Sequence, residues 1–209
     1  QRAMCRSAFG REAVRISSCY DFKGAPARHD GPIIWVGNVR TVKRPDLFVE
    51  VAKRLPEHRF VLIGGTNDGS VDFGALGRQA QDVANLTLTG HLPVADVESH
   101  FDGASVLVNT SATEGFPNTF LQAWSRGMPT VSFFDSGARE KGEDVGRVVD
   151  GVEAMVDAID AYKRSPPLWR DDGARAAEHY RGNFSVARSI DDYERVFGDA
   201  IERTQADTR

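Results

Sequence analysis

The sequence predicts an α/β fold, a Rossmann-like open parallel sheet with flanking helices, followed by C-terminal helices. Three observations carry this reading. Short apolar runs rich in β-branched residues alternate with segments of helical period, which is the pattern of βα units around a parallel sheet. The runs are continuous and apolar, as in buried strands. Beyond residue 150 the strand signal stops and only helical period remains.

Residues 1–30 show no clear period, and APARHDGP (25–32) reads as a linker into the first strand. Ile33 to Val36 is that strand. Leu47, Phe48, Val51, Ala52 and Leu55 then recur at helical spacing, giving one stripe to press on the sheet, with Pro45 suited to the first turn. RFVLIGG (59–65), LTLTG (86–90), SVLVNTS (105–111), PTVSFF (129–134) and GRVVD (146–150) are the further strands. Between them, 94–102 carries Val94, Val97 and Phe101 on one helical face. The segment 117–126 carries Phe120, Leu121 and Trp124, with Gly127 as its stop. Val152, Met155, Val156 and Ile159 mark one terminal helix, and Val186, Ile190, Tyr193, Phe197 and Ile201 another.

The chain has 209 residues, 41% hydrophobic and 27% charged, enough for a substantial core and unlike a disordered or collagen-like chain. A net charge of -4 argues against a nucleic-acid partner, since such surfaces gather positive charge to displace counterions. The apolar runs fall far short of the roughly 20 residues of a membrane-spanning helix, so no transmembrane segment is expected. Cys5 and Cys19 have no metal-ligand spacing and read as ordinary thiols of a reducing, cytoplasmic compartment. The opening QRAMCRSAFGREAVRI has no Met and no targeting pattern, and reads as the interior of a longer chain with an N-terminal domain ahead of it.

In an open α/β sheet, ligands bind at the carboxyl ends of the strands. After the fourth strand comes SATEGFPNTFLQAW, where Gly115 loosens the turn and Pro117 opens a helix. The amides of Asn118 and Thr119 then lack intrahelical partners, which makes an anion site. Arg40 and Lys43 follow the first strand and approach the same anion from the other side, which suggests a diphosphate. Glu114 would repel phosphate and is better suited to accept hydrogen bonds from hydroxyl groups. Gln122, four residues after Asn118, shares its helix face. GGTNDG (64–69) lacks the G-x-G-x-x-G spacing of a dinucleotide site. His29, His58, His100 and His179 are scattered, and there is no Asp-x-Asp triplet or His/Cys cluster, so no metal is expected.

The segments WVGNVRTVKRPDLFVEVAKRLPEHRFVLIGG and TGHLPVADVESHFDGASVLVNTSATEGFPNTFLQAWSRGMPTVSF resemble the nucleotide-sugar-binding half of retaining GT-B glycosyltransferases of group 1, also called family four. The resemblance spans roughly residues 32 to 150, with a looser match through the C-terminal helices. It implies a GT-B C-terminal half: an interdomain segment or remnant of the N-terminal half over 1–30, and a donor-binding domain over 31–209, helical from about 151. It implies that a hexosyl group moves from a nucleoside-diphosphate sugar to an acceptor such as a growing glycan or glycolipid. The commonest assignment in the family is polysaccharide biosynthesis. No cofactor is implied beyond that donor substrate, and the acceptor domain would be the missing N-terminal partner, leaving this chain inactive alone. Membrane association, if any, would come through that domain.

Residue by residue, the resemblance places Glu114 on the donor sugar hydroxyls and Lys43, six residues after Gly37, on the diphosphate. The family's arginine directly after that glycine is Asn38 here, so Arg40 is the nearest guanidinium for the leaving diphosphate. The turn Gly115, Phe116, Pro117 and the helix start Asn118, Thr119 belong to the donor-binding motif. His91 and Leu92 match the loop whose backbone meets the nucleobase. The second glutamate of the motif is Gln122 here, a ribose-binding position that keeps acceptor capacity and loses charge assistance. These departures at Asn38 and Gln122 motivate one alternative, a catalytically degenerate nucleotide-binding scaffold; a second, a GT-B-shaped sugar-nucleotide epimerase, shares the fold. The second would not be expected to carry the motif around Glu114.

Overall fold

The structure, a computed structural model, describes residues 2–10, 13–66 and 72–207. Asn67 to Gly69 of the glycine-bearing segment discussed above lie outside the described residues. The chain begins with α1 (Arg2–Phe9), then β1 (Ile33–Val36), a 3-10 turn (Thr41–Lys43), α2 (Pro45–Arg54) and β2 (Phe60–Ile63). There follow α3 (Phe73–Ala80), β3 (Leu86–Leu88), α4 (Val94–Phe101), β4 (Val106–Asn109), α5 (Asn118–Ser125) and β5 (Thr130–Ser132). The short ribbon β6 (Arg139–Glu140) and β7 (Glu143–Asp144) precedes β8 (Arg147–Val148) and the helices α6 (Val152–Arg164), α7 (Pro166–Asn183) and α8 (Val186–Asp207).

These elements form two compact units, Phe22–Tyr180 and the pair of segments Gln1–Asp21 and Arg181–Arg209. In the larger unit, six parallel strands pair in the order β3-β2-β1-β4-β5-β8. Alternating residues of the inner strands serve two cores. Ile33 and Trp35 of β1, Phe60 and Leu62 of β2, and Val106 and Val108 of β4 pack with Phe48, Val51, Leu76, Met155 and Ile159 from α2, α3 and α6. The intervening Ile34, Ile63 and Leu107 are buried too, and α4 and α5 cover that face beside Phe101, Phe120, Leu121 and Trp124. Burial on both faces is why these strands read as continuous apolar runs.

The strands and helices expected from the sequence are present, two of their apolar stripes need correction, and α1, α3, α7 and the β6/β7 ribbon come in addition. Val94 is 77% exposed at the start of α4, so only Val97 and Phe101 of that stripe face the sheet. In α2 the buried stripe is Phe48, Val49, Val51 and Ala52, with Leu47 half-buried. The helix α7 has no clean apolar period; its buried residues are the small Gly173 and Ala176 with His179 and Tyr180. Gly173 is required there, because a Cβ would stand 2.2 Å from the carbonyl oxygen of Gly127.

The smaller unit contains α1 and α8. The expected stripe of α8 exists, yet Ile190, Tyr193, Phe197 and Ile201 are each half or more exposed. Cys5 and Cys19 are both free. Among the described residues no helix is long and apolar enough to cross a membrane.

Candidate functional site

The strand order reverses between β1 and β4. From β1 the chain builds outward through β2 to β3, then returns across the sheet to start β4 on the other side of β1. Loops leaving the carboxyl ends of β1 and β4 therefore diverge and open a crevice. Both loops carry the polar residues singled out in the sequence.

After β1, Gly37 sits against the indole of Trp35, where a Cβ would come 3.4 Å from the ring. The glycine turns after β1 and β2 interlock: Gly37 N–H donates to Ile63 O at 3.1 Å and Val39 N–H to Gly65 O at 2.9 Å. Gly64 has φ +138, and a Cβ there would stand 1.9 Å from Gly37 O, so only glycine fits. Its N–H donates to Gly90 O at 3.1 Å, which draws in the turn after β3 and places His91, exposed, and Leu92, half-buried, beside the other loops. Asn38 and Arg40 are exposed, and Arg40 starts the 3-10 turn that ends at Lys43.

The loop after β4 is stitched to that turn. Ala112 N–H donates to Val42 O at 2.9 Å, and Thr110 Oγ1 donates to Lys43 O at 2.7 Å while accepting the indole N–H of Trp35 at 3.0 Å. Lys43 and Glu114 consequently meet: Nζ donates to Oε1. Ser111 Oγ donates to the same oxygen at 2.7 Å and Asn109 Nδ2 at 3.2 Å. The Glu114 side chain is 11% exposed. Burial pushes its carboxyl up, but hydrogen bonds from Lys43, Ser111 and Asn109 and the charge of Lys43 outweigh that and hold it below the ordinary value. All three donors converge on Oε1, so among the described residues Oε2 is the oxygen left to meet a ligand hydroxyl.

Gly115 is exposed and Phe116 is half-buried, edge-on to Trp124 with centroids 5.9 Å apart. Pro117 is the buried N-cap of α5, with no side-chain cap, so the first amides at Asn118 and Thr119 project from the helix start. Gln122, one turn into α5, donates through Nε2 to Glu98 Oε1 of α4 at 2.5 Å.

The structure thus brings Lys43, Glu114 and the start of α5 together, and adds residues that sequence reading missed. Asn109 and Ser111 had a legible signal, a polar run (Asn109, Thr110, Ser111) ending an otherwise apolar buried strand. Arg44, left-handed at φ 49, caps α2 and lays its guanidinium over Phe133, 5.3 Å from the ring centroid. Arg126 is 1% exposed and bonds Glu98 at 3.0 Å and Asp102 at 2.9 Å between the rings of Phe22 and Phe101. No sequence pattern announced it.

Two other polar clusters lie elsewhere. Glu57, His58 and Asp160 bring potential ligand atoms within 4.8 Å of one another, a grouping that the linear spacing did not show; Asp160 also accepts from Arg164 Nε at 2.9 Å. It sits where the chain enters β2, at the amino end of the sheet. A concavity lined by Asp144, Arg147, Asp157, Asp172 and Arg175 is crossed by ion pairs, Arg175 to Asp172 at 2.7 Å and Arg147 to Asp172 at 3.4 Å.

Comparison with known proteins agrees with this architecture. The family model described as "Glycosyl transferases group 1" matches residues 31–163. A D-inositol 3-phosphate glycosyltransferase from Mycobacterium bovis is 27% identical over 181 residues, covering 80% of this chain and 38% of that protein. The chain thus spans well under half the length of the curated relatives it matches. A mutant of S. aureus TarM, solved with fondaparinux, alpha-GlcNAc-glycerol and UDP, superposes with a TM-score of 0.75 at 19% identity, over 94% of this chain and 42% of that one. The C-terminal domain of a Francisella tularensis glycosyl transferase group 1 family protein, LpcC, gives 0.64 at 19% identity, over 78% of this chain and 89% of that one.

Proposed function

Because this chain belongs to the group 1 glycosyl transferases, we propose that its larger unit is the donor-binding half of a retaining glycosyltransferase. It holds a nucleoside-diphosphate sugar whose hexosyl group passes to an acceptor such as a growing glycan or glycolipid. The observation that carries this reading is the convergence of Lys43, Asn109 and Ser111 on Glu114 Oε1 at the β1/β4 crevice, beside the uncapped start of α5.

In that site the diphosphate lies against the amides of Asn118 and Thr119, where the helix start favours negative charge. Lys43 turns from Glu114 to the phosphates, with Arg40 beside it. Glu114 accepts from sugar hydroxyls through Oε2. Gln122 faces the ribose, and the backbone of His91 and Leu92 meets the base. When the glycosidic C–O bond breaks, its electron pair stays on the diphosphate oxygen, and the cations stabilise that charge. The acceptor hydroxyl forms the new bond on the same face of the sugar and gives its proton to the departing diphosphate. With cations and helix amides meeting the phosphates, the reading needs no divalent metal. The acceptor is held by an N-terminal domain, so this chain binds the donor nucleotide without turning it over.

The test is calorimetric titration of UDP, GDP and ADP into the protein. One of the three binds, and Lys43→Ala weakens it about tenfold or more. If none binds at millimolar concentration, the donor-site reading fails.

A further inference from the structure

Gln122 and Glu98 stand on neighbouring helices, α5 and α4, each one turn in from the helix start. Their contact is 2.5 Å from Gln122 Nε2 to Glu98 Oε1. An ionised carboxylate can only accept, so the amide must present its NH2 branch to Glu98. That fixes the other branch: the carbonyl Oε1 of Gln122 is turned away from Glu98. Glu98 is itself held, because Arg126 Nη2 donates to its second oxygen at 3.0 Å. Arg126 in turn is locked by Asp102, by the Gln122 backbone carbonyl at 3.0 Å and by two aromatic rings.

We propose that Glu98 is a positioning residue for nucleotide recognition: it orients the Gln122 amide so that its carbonyl oxygen, and not its NH2, accepts hydrogen bonds from the ribose hydroxyls. This rests on the donor-site reading, in which position 122 faces the ribose. The pair explains why an amide stands at 122. A glutamate there would place a second carboxylate against Glu98, and two such groups in contact cannot both ionise cheaply. The acceptor is therefore a neutral carbonyl, and the negative charge sits behind it on α4, paired with the buried Arg126 that Asp102 shares.

The experiment measures Kd at pH 8, by calorimetry on the whole chain. The probes are whichever of UDP, GDP and ADP binds tightest and its 2′,3′-dideoxy counterpart, which lacks both hydroxyls. Wild type prefers the ribonucleotide by about tenfold, the worth of one good hydrogen bond. Gln122→Glu loses that preference, because repulsion from Glu98 swings the new carboxylate out of place. The double variant Glu98→Gln with Gln122→Glu exchanges charge and amide and restores the preference. The reading is the ratio of ribonucleotide to dideoxy Kd within each protein, which separates positioning from general damage to the fold and from the added charge. The proposal is overturned if Gln122→Glu alone keeps or increases the ribose preference, if the double variant fails to restore it, or if wild type binds both nucleotides equally. In that last case the donor site stands and only the Glu98 role falls. Failure of wild type to bind any nucleotide overturns both.

Discussion

Lys43 and Glu114, separated by 71 positions in the sequence, close on each other across the crevice between β1 and β4. Without a donor they neutralise one another, so a largely buried carboxylate and its cation are kept in place without stranding either charge. On the donor-site reading proposed above, a donor divides the pair, phosphate drawing off the lysine while sugar hydroxyls replace it at the glutamate.

Lys43→Met should leave Glu114 with only its neutral donors, Ser111 and Asn109. The carboxyl then titrates higher than in wild type, because it loses the hydrogen bond and the charge of Lys43. The folded-state value in wild type is depressed, so the stability it contributes is fully present above the ordinary 4.5 and is lost as pH falls through the depressed value. Urea melts from pH 7 down to pH 3 should show a gap of about 1 to 3 kcal/mol between wild type and variant, closing at the acid end.

Arg126→Met should be costly away from any ligand. It leaves Glu98 and Asp102 facing each other without their shared cation and removes the guanidinium from between Phe22 and Phe101. Since both carboxylates are about a third exposed, the loss should be about 2 to 3 kcal/mol, below that of a fully buried pair. A thermal melt would register about 5 to 10 °C.

Two glycines of the site loops should respond very differently to alanine. At Gly90, φ is +71 and nothing lies within 4 Å of a new Cβ, so only backbone strain of about 1 to 2 kcal/mol applies. At Gly64 the Cβ collides with Gly37 O, and the turns after β1 and β2 must part. Melting temperatures of the two variants should differ by several degrees, with Gly64→Ala the lower and its nucleotide binding lost.

Lys163 gives a pH signature in the alkaline range. Its ammonium, pulled down to about 8 by burial, donates to the carbonyls of His29 at 3.0 Å and Gly31 at 2.7 Å. Between pH 8 and the ordinary 10.5 the folded chain binds fewer protons than the unfolded one, so stability from this group rises with pH across that window. Lys163→Met should remove that rise, seen as a wild-type-minus-variant difference that changes between urea melts at pH 8 and pH 10.

The sheet was legible because doubly buried strands announce themselves as unbroken apolar runs, and α2 and α5 because their apolar stripes follow one face. The helix α7 was not, since it packs through Gly173 and Ala176, whose small size lets backbones approach but leaves no periodic signal. In the site, Lys43 and Glu114 could be singled out as charged residues at strand ends. That Glu114 Oε1 would collect three donors depends on how two loops are stitched together, through Ala112 to Val42 and Thr110 to Lys43, contacts between residues about 70 positions apart. The partnership of Gln122 with Glu98 is of the same kind, set by how α4 and α5 lie side by side.

The chain of contacts from the indole of Trp35 through Thr110 to the Lys43 carbonyl also has an optical consequence. A buried indole whose N–H is tied through the Thr110 hydroxyl to the backbone of Lys43 emits according to that bond, so movement of the 3-10 turn becomes a change in its fluorescence. With Trp124 and Trp169 replaced by phenylalanine, Trp35 would be the remaining tryptophan, and on the donor-site reading it would report nucleotide arrival at Lys43 without a label and on the millisecond scale of a stopped-flow record.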